Sequence, residues 1–268
     1  MLLASLVFYS CWELKDLYLF LIAILANFAL SKLFRAGASH QKKILAVGIS
    51  LNLLFLAYFK YFDFFVENAS VFWGGIHNHR QLILPLGISF YTFQQIAYLI
   101  DAYRVGGRSD SLLDYTLFIS FFPQLIAGPI LHHNEFIPQM KEKKTYIFDG
   151  DNFTHGLCLL SLGLFKKVAI ADTLGIFVNK GYAGTQSLTS LDAWVTSISF
   201  TFQSYFDFSG YSDMALGLGL FFNLQLPANF DNPFRATNIS EFWRRWHMTL
   251  TRLFEGYLYF PLALRLLR

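Results

Sequence analysis

One histidine lies in the stretch of this largely apolar sequence whose polar residues are the most informative about chemistry. The stretch reads LPANFDNPFRATNISEFWRRWHMTLTRLF, and the histidine is His247. Asn238 followed three positions later by Glu241 is typical of a capping box, which predicts that a helix begins just before Phe242. Polar residues then recur every three or four positions and predict one polar stripe along that helix: Ser240, Arg244, His247 and Thr251.

The chemistry of this stripe leaves two interpretations open. Imidazole titrates near neutral pH, so a desolvated His247 can accept a proton during catalysis, or it can be a structural hydrogen-bonding group between helices. Arg244 and Arg245 carry guanidinium groups that suit phosphate, but beside Trp246 they are also typical of residues that anchor a helix at a membrane interface. Spacing alone favours neither interpretation of His247.

Two further stretches place polar side chains among apolar ones. ILPLGISFYTFQQIAYLIDAYR contains Gln94, and FQSYFDFSGYSDMALGLG contains Asp207 and Asp213 on either side of Gly210. The second pattern predicts a break between two short helices. If the break brings the two carboxylates together they can serve as acid and base, whereas capping of the next helix by Asp213 is the favoured alternative.

These residues have to be positioned by membrane helices. The chain of 268 residues is 54% hydrophobic and 15% charged, whereas a soluble domain is about 25% charged. The sequence predicts an all-α, polytopic bundle of about seven to nine membrane helices, some short or re-entrant, each full crossing needing about 20 apolar residues. A single domain is expected over residues 1–268. The candidate spans are 16–34, 44–66, 82–103, 115–131, 155–179, 192–207, 210–226 and a last one from residue 242 onward.

The charge pattern argues against several kinds of site. The formal net charge is only +3, and the lysines lie in short clusters that are typical of cytoplasmic helix ends. No stretch provides a continuous basic face, so membrane lipid is an expected partner and nucleic acid is not. The histidine pairs His77/His79 and His132/His133 lack a recognisable third ligand, so no metal site is predicted.

Seven motifs appear in an order that resembles one enzyme family: LLASLVFYSCW, YFKYFDFF, LPLGISFYTFQQIAYLIDAYR, FFPQLIAGPI, FDFSGYSDMALGLG, LPANFDNPF and FWRRWHMTLT. The chain resembles the membrane-bound O-acyltransferase family, in the bacterial branch that contains the alginate O-acetylation and teichoic-acid D-alanylation membrane proteins. The resemblance implies a helical bundle with a tunnel, where an activated acyl group from the cytoplasm meets an acceptor hydroxyl from the other side. After Thr251 the sequence departs from the alginate pattern, with YFPLALRLL where the family often has Tyr-Ile-Pro-Leu-Gly-Gly.

Two histidine positions matter in this family, and the resemblance places His247 at the first. The second, usually taken as the catalytic one, lies on a later helix that has no counterpart in the sequence before Arg268. The beginning, LLASLVFYSCW, resembles the family's second hydrophobic segment rather than its first. The chain is therefore expected to be truncated at both ends and to be inactive on its own.

The resemblance implies O-acyl transfer from a cytoplasmic thioester to a hydroxyl of an extracytoplasmic polysaccharide or cell-envelope acceptor, as in alginate biosynthesis. Acetyl is the expected acyl group. Acyl-coenzyme A or an acyl-carrier thioester is the expected donor substrate, and no tightly bound cofactor is expected. In this scheme His247 orients the substrate or shares protons. The candidates for binding substrate or donor are Gln94, Asp207, Asp213, Asn232, Arg244, Arg245 and Trp246.

The expected location is the bacterial inner membrane, with several crossings, and the expected protein partner is an extracytoplasmic acyltransferase or acceptor protein. Two other classes stay open. Broken helices and carboxylates at mid-membrane are natural in a transporter or channel subunit, although inverted halves are absent from this sequence. A non-catalytic membrane scaffold is the other alternative.

Overall fold

Helices account for all the regular secondary structure in the described part of the chain. The computed structural model describes residues 1–34, 39–73, 83–108, 110–184 and 188–267, without the side chains of 70–73. No strand occurs in these ranges, so the predicted all-α class is confirmed. The chain divides into two compact units, Met1–Ile126 and Ala127–Arg268. The single membrane domain expected over the whole chain stays a prediction.

The first unit contains two helices that are long and apolar enough to cross a membrane. Its helices are α1 (Leu2–Ser10), α2 (Leu14–Lys32), α3 (Gln41–Trp73), α4 (Ile88–Arg104), α5 (Leu112–Ser120) and α6 (Phe122–Leu125). The two candidate crossings are α2 and the Gln41–Ala69 part of α3. They correspond to the predicted spans 16–34 and 44–66. The larger count of seven to nine membrane helices stays a prediction.

Two other predicted spans differ from the helices in the structure. The span predicted from residue 82 becomes helical only at Ile88, after Pro85 and the left-handed Gly87 (φ 68°). The span predicted over 115–131 is wrong, because α5 ends at Ser120 and the chain turns at Phe121 before α6. Pro123 has no N–H to donate to a carbonyl one turn earlier, so a continuous helix cannot pass through it undisturbed.

Buried amides join the long helices of the first unit. Asn27 on α2 and Asn52 on α3 exchange side-chain hydrogen bonds of 3.2 and 2.6 Å. The same Asn27 amide donates to Oε1 of Gln95 on α4 at 2.5 Å. In a bilayer such groups have no water to bond with, so they satisfy one another across helices.

The second unit is built around one long helix. Its helices are α7 (His133–Lys141), α8 (Gly150–Leu164), α9 (Asp172–Ala183), α10 (Ser190–Phe221), α11 (Ile239–Arg245), α12 (Met248–Phe254) and α13 (Phe260–Leu266). A π-helical segment, Phe165–Ala171, connects α8 to α9, and another, Glu255–Tyr259, connects α12 to α13. The span predicted over 155–179 therefore lies within one helical run.

The break predicted at Gly210 is wrong, because α10 continues through it from Ser190 to Phe221. The glycine serves close packing instead. A Cβ added at Gly210 would lie 2.8 Å from the carbonyl oxygen of Gly163, and one added at Gly163 would lie 2.5 Å from the carbonyl oxygen of Gly210. The missing side chains let the backbones of α8 and α10 approach, as small residues do in membrane bundles.

Candidate active site around His247

His247 lies at a sharp bend between two short helices. Helix α11 ends at Arg245, Trp246 is extended (φ −100°, ψ 126°), and His247 has a left-handed backbone (φ 45°, ψ 52°) before α12 begins. The predicted stripe along one continuous helix is therefore wrong: Ser240 and Arg244 lie on α11, whereas Thr251 lies on α12.

The bend is held by the connector that precedes α11. The Met248 N–H donates to the Asn229 carbonyl at 2.9 Å, and the Arg245 carbonyl accepts from the Asp231 N–H at 3.0 Å. In a continuous helix these two groups would bond within the helix, one turn away. Because these two backbone groups bond to the connector instead, the helix ends where the local sequence alone predicts that it continues.

The helix start predicted at Asn238 is confirmed, with one change. The Asn238 side chain accepts from the Glu241 N–H at 2.9 Å. The Glu241 carboxylate reaches past Asn238 and accepts from the N–H and the hydroxyl of Thr237, both at 2.9 Å. These hydrogen bonds from Thr237, with the Arg245 guanidinium, lower the pKa of Glu241 to about 2. The reciprocal half of the capping box is thus displaced by one residue.

A buried asparagine is the centre of the polar network at the bend. Asn229 is 1% exposed, and its Oδ1 lies 2.8 Å from Nδ1 of His247 and 2.9 Å from the Thr249 hydroxyl. Its Nδ2 donates to the Ser212 hydroxyl on α10 at 3.3 Å, and the Ile130 N–H donates to Thr249 Oγ1 at 3.0 Å. Sequence reasoning missed Asn229, although it lies in the same LPANFDNPF motif as Asn232; the available signal was an amide in an apolar connector.

Aromatic rings pack at the bend, and one of them contacts the imidazole. Phe208 of α10 meets His247 edge to face, with ring centroids 4.8 Å apart. Phe230 packs on both Phe208 and Trp246, at 5.0 and 5.2 Å. His247 lies outside the two helices of membrane-crossing length, and burial lowers its pKa to about 4. Burial therefore favours the neutral ring, which is the form that can accept a proton.

The two candidate carboxylates on α10 are both paired with lysines of the π-helical segment. Asp213 lies 2.6 Å from Lys166, and Asp207 lies 2.7 Å from Lys167, which also bonds Asp172 at 2.7 Å. Both aspartates lie within a continuous helix, so capping of a new helix by Asp213 is wrong, and no break brings the pair together. Sequence reasoning did not connect these lysines with the aspartates. A π-bulge inside a helix is frequently found at functional sites.

The two arginines differ in their surroundings. Arg245 is held by Glu241, with N–O distances of 2.8 and 3.1 Å, and by Asp231 at 3.4 Å. Arg244 is exposed and makes no ion pair within the described ranges. Arg245 therefore fixes the bend, while Arg244 presents a guanidinium to the surroundings.

The remaining candidates contribute differently. Asn232 is exposed, left-handed (φ 43°), and its amide lies 3.4 Å from the Asp231 carboxylate. Gln94 is 4% exposed on α4 of the first unit, whereas the other candidates belong to the second. His77 and His79 lie outside the described residues. His132 bonds the Tyr257 hydroxyl at 3.1 Å, and the described ranges hold no group of three or more potential metal ligands. The prediction of no metal site stays a prediction.

Comparison with known proteins places this bend in a known family. The family model described as MBOAT, membrane-bound O-acyltransferase family, matches residues 106–267, which include His247 and Asn229. The chain belongs to the membrane-bound O-acyltransferase family. The resemblance inferred from the seven motifs is confirmed. Family membership also establishes that this is a membrane protein, in agreement with its two long apolar helices.

The names of three relatives mention peptidoglycan, alginate and teichoic acid. A peptidoglycan O-acetyltransferase of Helicobacter pylori is 45% identical over 98% of this chain and 55% of its own length. A Pseudomonas aeruginosa protein named "Probable alginate O-acetylase AlgI" is 38% identical over 98% of this chain and 51% of its own. A teichoic acid D-alanyltransferase of Bacillus subtilis is 29% identical over 68% of this chain and 47% of its own. The chain thus spans about half the length of the curated relatives it matches.

Proposed function

We propose that the protein containing this chain is a membrane O-acyltransferase. It transfers an acyl group from a cytoplasmic thioester to a hydroxyl of an extracytoplasmic polysaccharide or other cell-envelope acceptor. The acyl group proposed is acetyl. The observation that carries the proposal is the position of His247, which bonds the buried Asn229 and contacts Phe208 within the segment that matches the family. The named activities of the relatives support acyl transfer to envelope polymers.

The proposed step forms one ester bond and breaks one thioester bond. The acceptor oxygen attacks the thioester carbonyl as its proton moves to a base, and the thiolate leaves and takes up a proton. A neutral imidazole at His247 orients the acceptor hydroxyl or shares its proton. Proton transfer by a positioned side chain typically contributes about 10²–10⁴-fold to the rate.

The donor is proposed to be acyl-coenzyme A or an acyl-carrier thioester, bound as substrate rather than as a resident cofactor. Both carry phosphate, for which a guanidinium is well suited. The exposed Arg244 is the better placed of the two arginines for this role, because Arg245 is already held by Glu241 and Asp231. In this proposal Asp207 and Asp213 do not bind the substrate directly. They hold the ammonium groups of Lys167 and Lys166, whose positive charges they balance.

The proposed setting is the bacterial inner membrane, crossed several times by the protein. The lysine-rich clusters then lie on the cytoplasmic side, where the donor is supplied. An extracytoplasmic acyltransferase or acceptor protein takes over the acyl group or presents the hydroxyl. Family membership and the two long apolar helices support a membrane location in general.

A sidedness assay on the full-length protein tests this function. Proteoliposomes receive radiolabelled acetyl-coenzyme A on one face and a soluble polysaccharide acceptor on the other, for wild type and His247→Ala. We expect label on the acceptor with wild type only, when donor and acceptor lie on opposite faces. Labelling that persists in His247→Ala would remove His247 from the reaction. Flux of a solute or ion without acyl transfer would show a transporter instead.

A further inference from the structure

We infer that Asn229 is a positioning residue that fixes the Nδ1-protonated tautomer of His247, so that Nε2 carries the lone pair. The inference rests on the proposed function, because a defined tautomer matters only if His247 exchanges protons or orients a hydroxyl. It assigns a role to a residue outside the tryptophan-rich motif, 18 positions earlier in the chain. The two ring nitrogens of histidine are distinct, and the hydrogen bond made by one determines the state of the other.

The orientation of the Asn229 amide follows from its other partners. The Thr249 main-chain N–H, which can only donate, faces Oδ1 at 3.4 Å. The Thr249 hydroxyl oxygen already accepts from the Ile130 N–H, so its own proton points to Oδ1, 2.9 Å away. On the opposite side, Nδ2 donates to Ser212. The atom facing His247 is therefore the amide oxygen, which has no proton to give.

The tautomer of His247 follows directly. Because Oδ1 of Asn229 can only accept, the hydrogen bond of 2.8 Å between it and Nδ1 needs a proton on Nδ1. In the neutral imidazole Nε2 then has none. Burial favours that neutral form at pH 7. The same asparagine also bonds the Met248 N–H through its carbonyl, so it holds the left-handed backbone as well as the ring.

Three aspartates on the elements that contact the site are held in ion pairs. On α10, Asp213 and Asp207 are held by Lys166 and Lys167. On the connector, Asp231 is held by Arg245 of α11. Burial is the cause of the lowered pKa of His247, and a carboxylate at position 229 would take the place of the Asn229 oxygen, 2.8 Å from Nδ1 of the ring. Such a carboxylate would raise the pKa of the imidazole.

Nitrogen NMR of the full-length protein, labelled with ¹⁵N-histidine in nanodiscs, reads the tautomer without any activity. His247 is identified by the signal that His247→Gln removes. We expect a protonated Nδ1 and an unprotonated Nε2 in wild type, loss of this preference in Asn229→Leu, and its retention in Asn229→Asp. The control Asn179→Leu alters an exposed amide on α9 and should leave the His247 signals unchanged.

Kinetics then connect the tautomer to the reaction. Asn229→Leu should lower kcat by about 10-fold or more, within the range that general-base help contributes, with KM little changed. Asn229→Asp should retain more activity, and the acid limb of its pH–rate profile should move to higher pH, because a carboxylate raises the pKa of His247. The matched Asp variant keeps the test valid if Asn229→Leu fails to fold.

The outcomes separate the two proposals. A wild-type ring with its proton on Nε2, or an unchanged tautomer in Asn229→Leu, overturns the role of Asn229. The tautomer can also change as expected in Asn229→Leu while kcat stays at the wild-type value. That result would show that Asn229 is not a positioning residue for the reaction. Absence of acyl transfer by the wild-type protein overturns the proposed function instead, whereas unaltered transfer by His247→Gln overturns only the role of His247.

Discussion

Replacing Gly210 with alanine tests whether α10 is one helix packed closely on α8. The added Cβ would lie 2.8 Å from the Gly163 carbonyl oxygen, 3.1 Å from Cβ of Lys166 and 3.2 Å from the Lys167 nitrogen. Two of these three neighbours are backbone atoms, which cannot rotate away. The helices must therefore separate locally for the alanine to fit.

Two opposing effects set the expected size of the change. Alanine in a helix interior is favoured over glycine by about 1 kcal/mol. Overpacking of a close contact costs about 1–3 kcal/mol, and rigid backbone neighbours favour the upper part of that range. We expect Gly210→Ala to lower the free energy of unfolding by about 1–2 kcal/mol. Since Gly163→Ala would strain the same contact, the two substitutions should not be additive.

Thermal unfolding in one detergent measures this effect. A change of 1 kcal/mol shifts Tm by about 2–4 °C in a protein of this size, so Gly210→Ala should lower Tm by roughly 2–8 °C. Gly150→Ala is the matched control, because nothing lies within 4 Å of a Cβ added there. A Gly210→Ala protein at least as stable as wild type would refute the close approach and favour a break at Gly210.

Three further substitutions test other contacts in the same unfolding assay. Thr249→Val leaves the buried Ile130 N–H without its acceptor and should cost about 1–3 kcal/mol, whereas Thr251→Val on the same helix should be nearly neutral; equal effects would argue against the network. Asn27→Leu removes the amide shared by Asn52 and Gln95 and should cost about 1–2 kcal/mol, while the exposed Asn68→Leu serves as its control. Glu241→Gln removes a carboxylate whose pKa is lowered from 4.5 to about 2 in the folded protein. The carboxylate therefore stabilises the fold fully above pH 4.5, and this stabilisation is lost as the pH falls toward 2. The stability gap between wild type and Glu241→Gln should then be constant at neutral pH and close in acid, and a gap that widens in acid would contradict this sign.

Features that depend on local sequence were predictable. The two long apolar runs that became α2 and α3 follow from hydropathy alone, because about 20 apolar residues suffice to cross a bilayer. The start of α11 at Asn238 follows from the side-chain chemistry of a helix cap, which involves only the next three residues. His247 was singled out because an imidazole is costly beside lipid unless it serves a site.

Features that depend on distant partners were not predictable in this way. The helix through His247 breaks because the connector at Asn229 and Asp231 takes two of its backbone hydrogen bonds. Gly210 suggested a break, although it permits close packing against Gly163 on another helix. The pairing of Asp213 with Lys166 likewise depends on how α10 packs against the π-helical segment. Each of these contacts joins residues that are far apart in sequence.

Steady-state acetyl transfer by the full-length protein in proteoliposomes tests the central role of His247 most directly. Wild type, His247→Gln and the exposed control His155→Gln are compared at saturating donor and acceptor. The geometry predicts that kcat falls by about 10²-fold or more in His247→Gln, with an unchanged Tm, and stays at the wild-type value in His155→Gln. A folded His247→Gln protein with wild-type kcat would contradict the role assigned to this histidine.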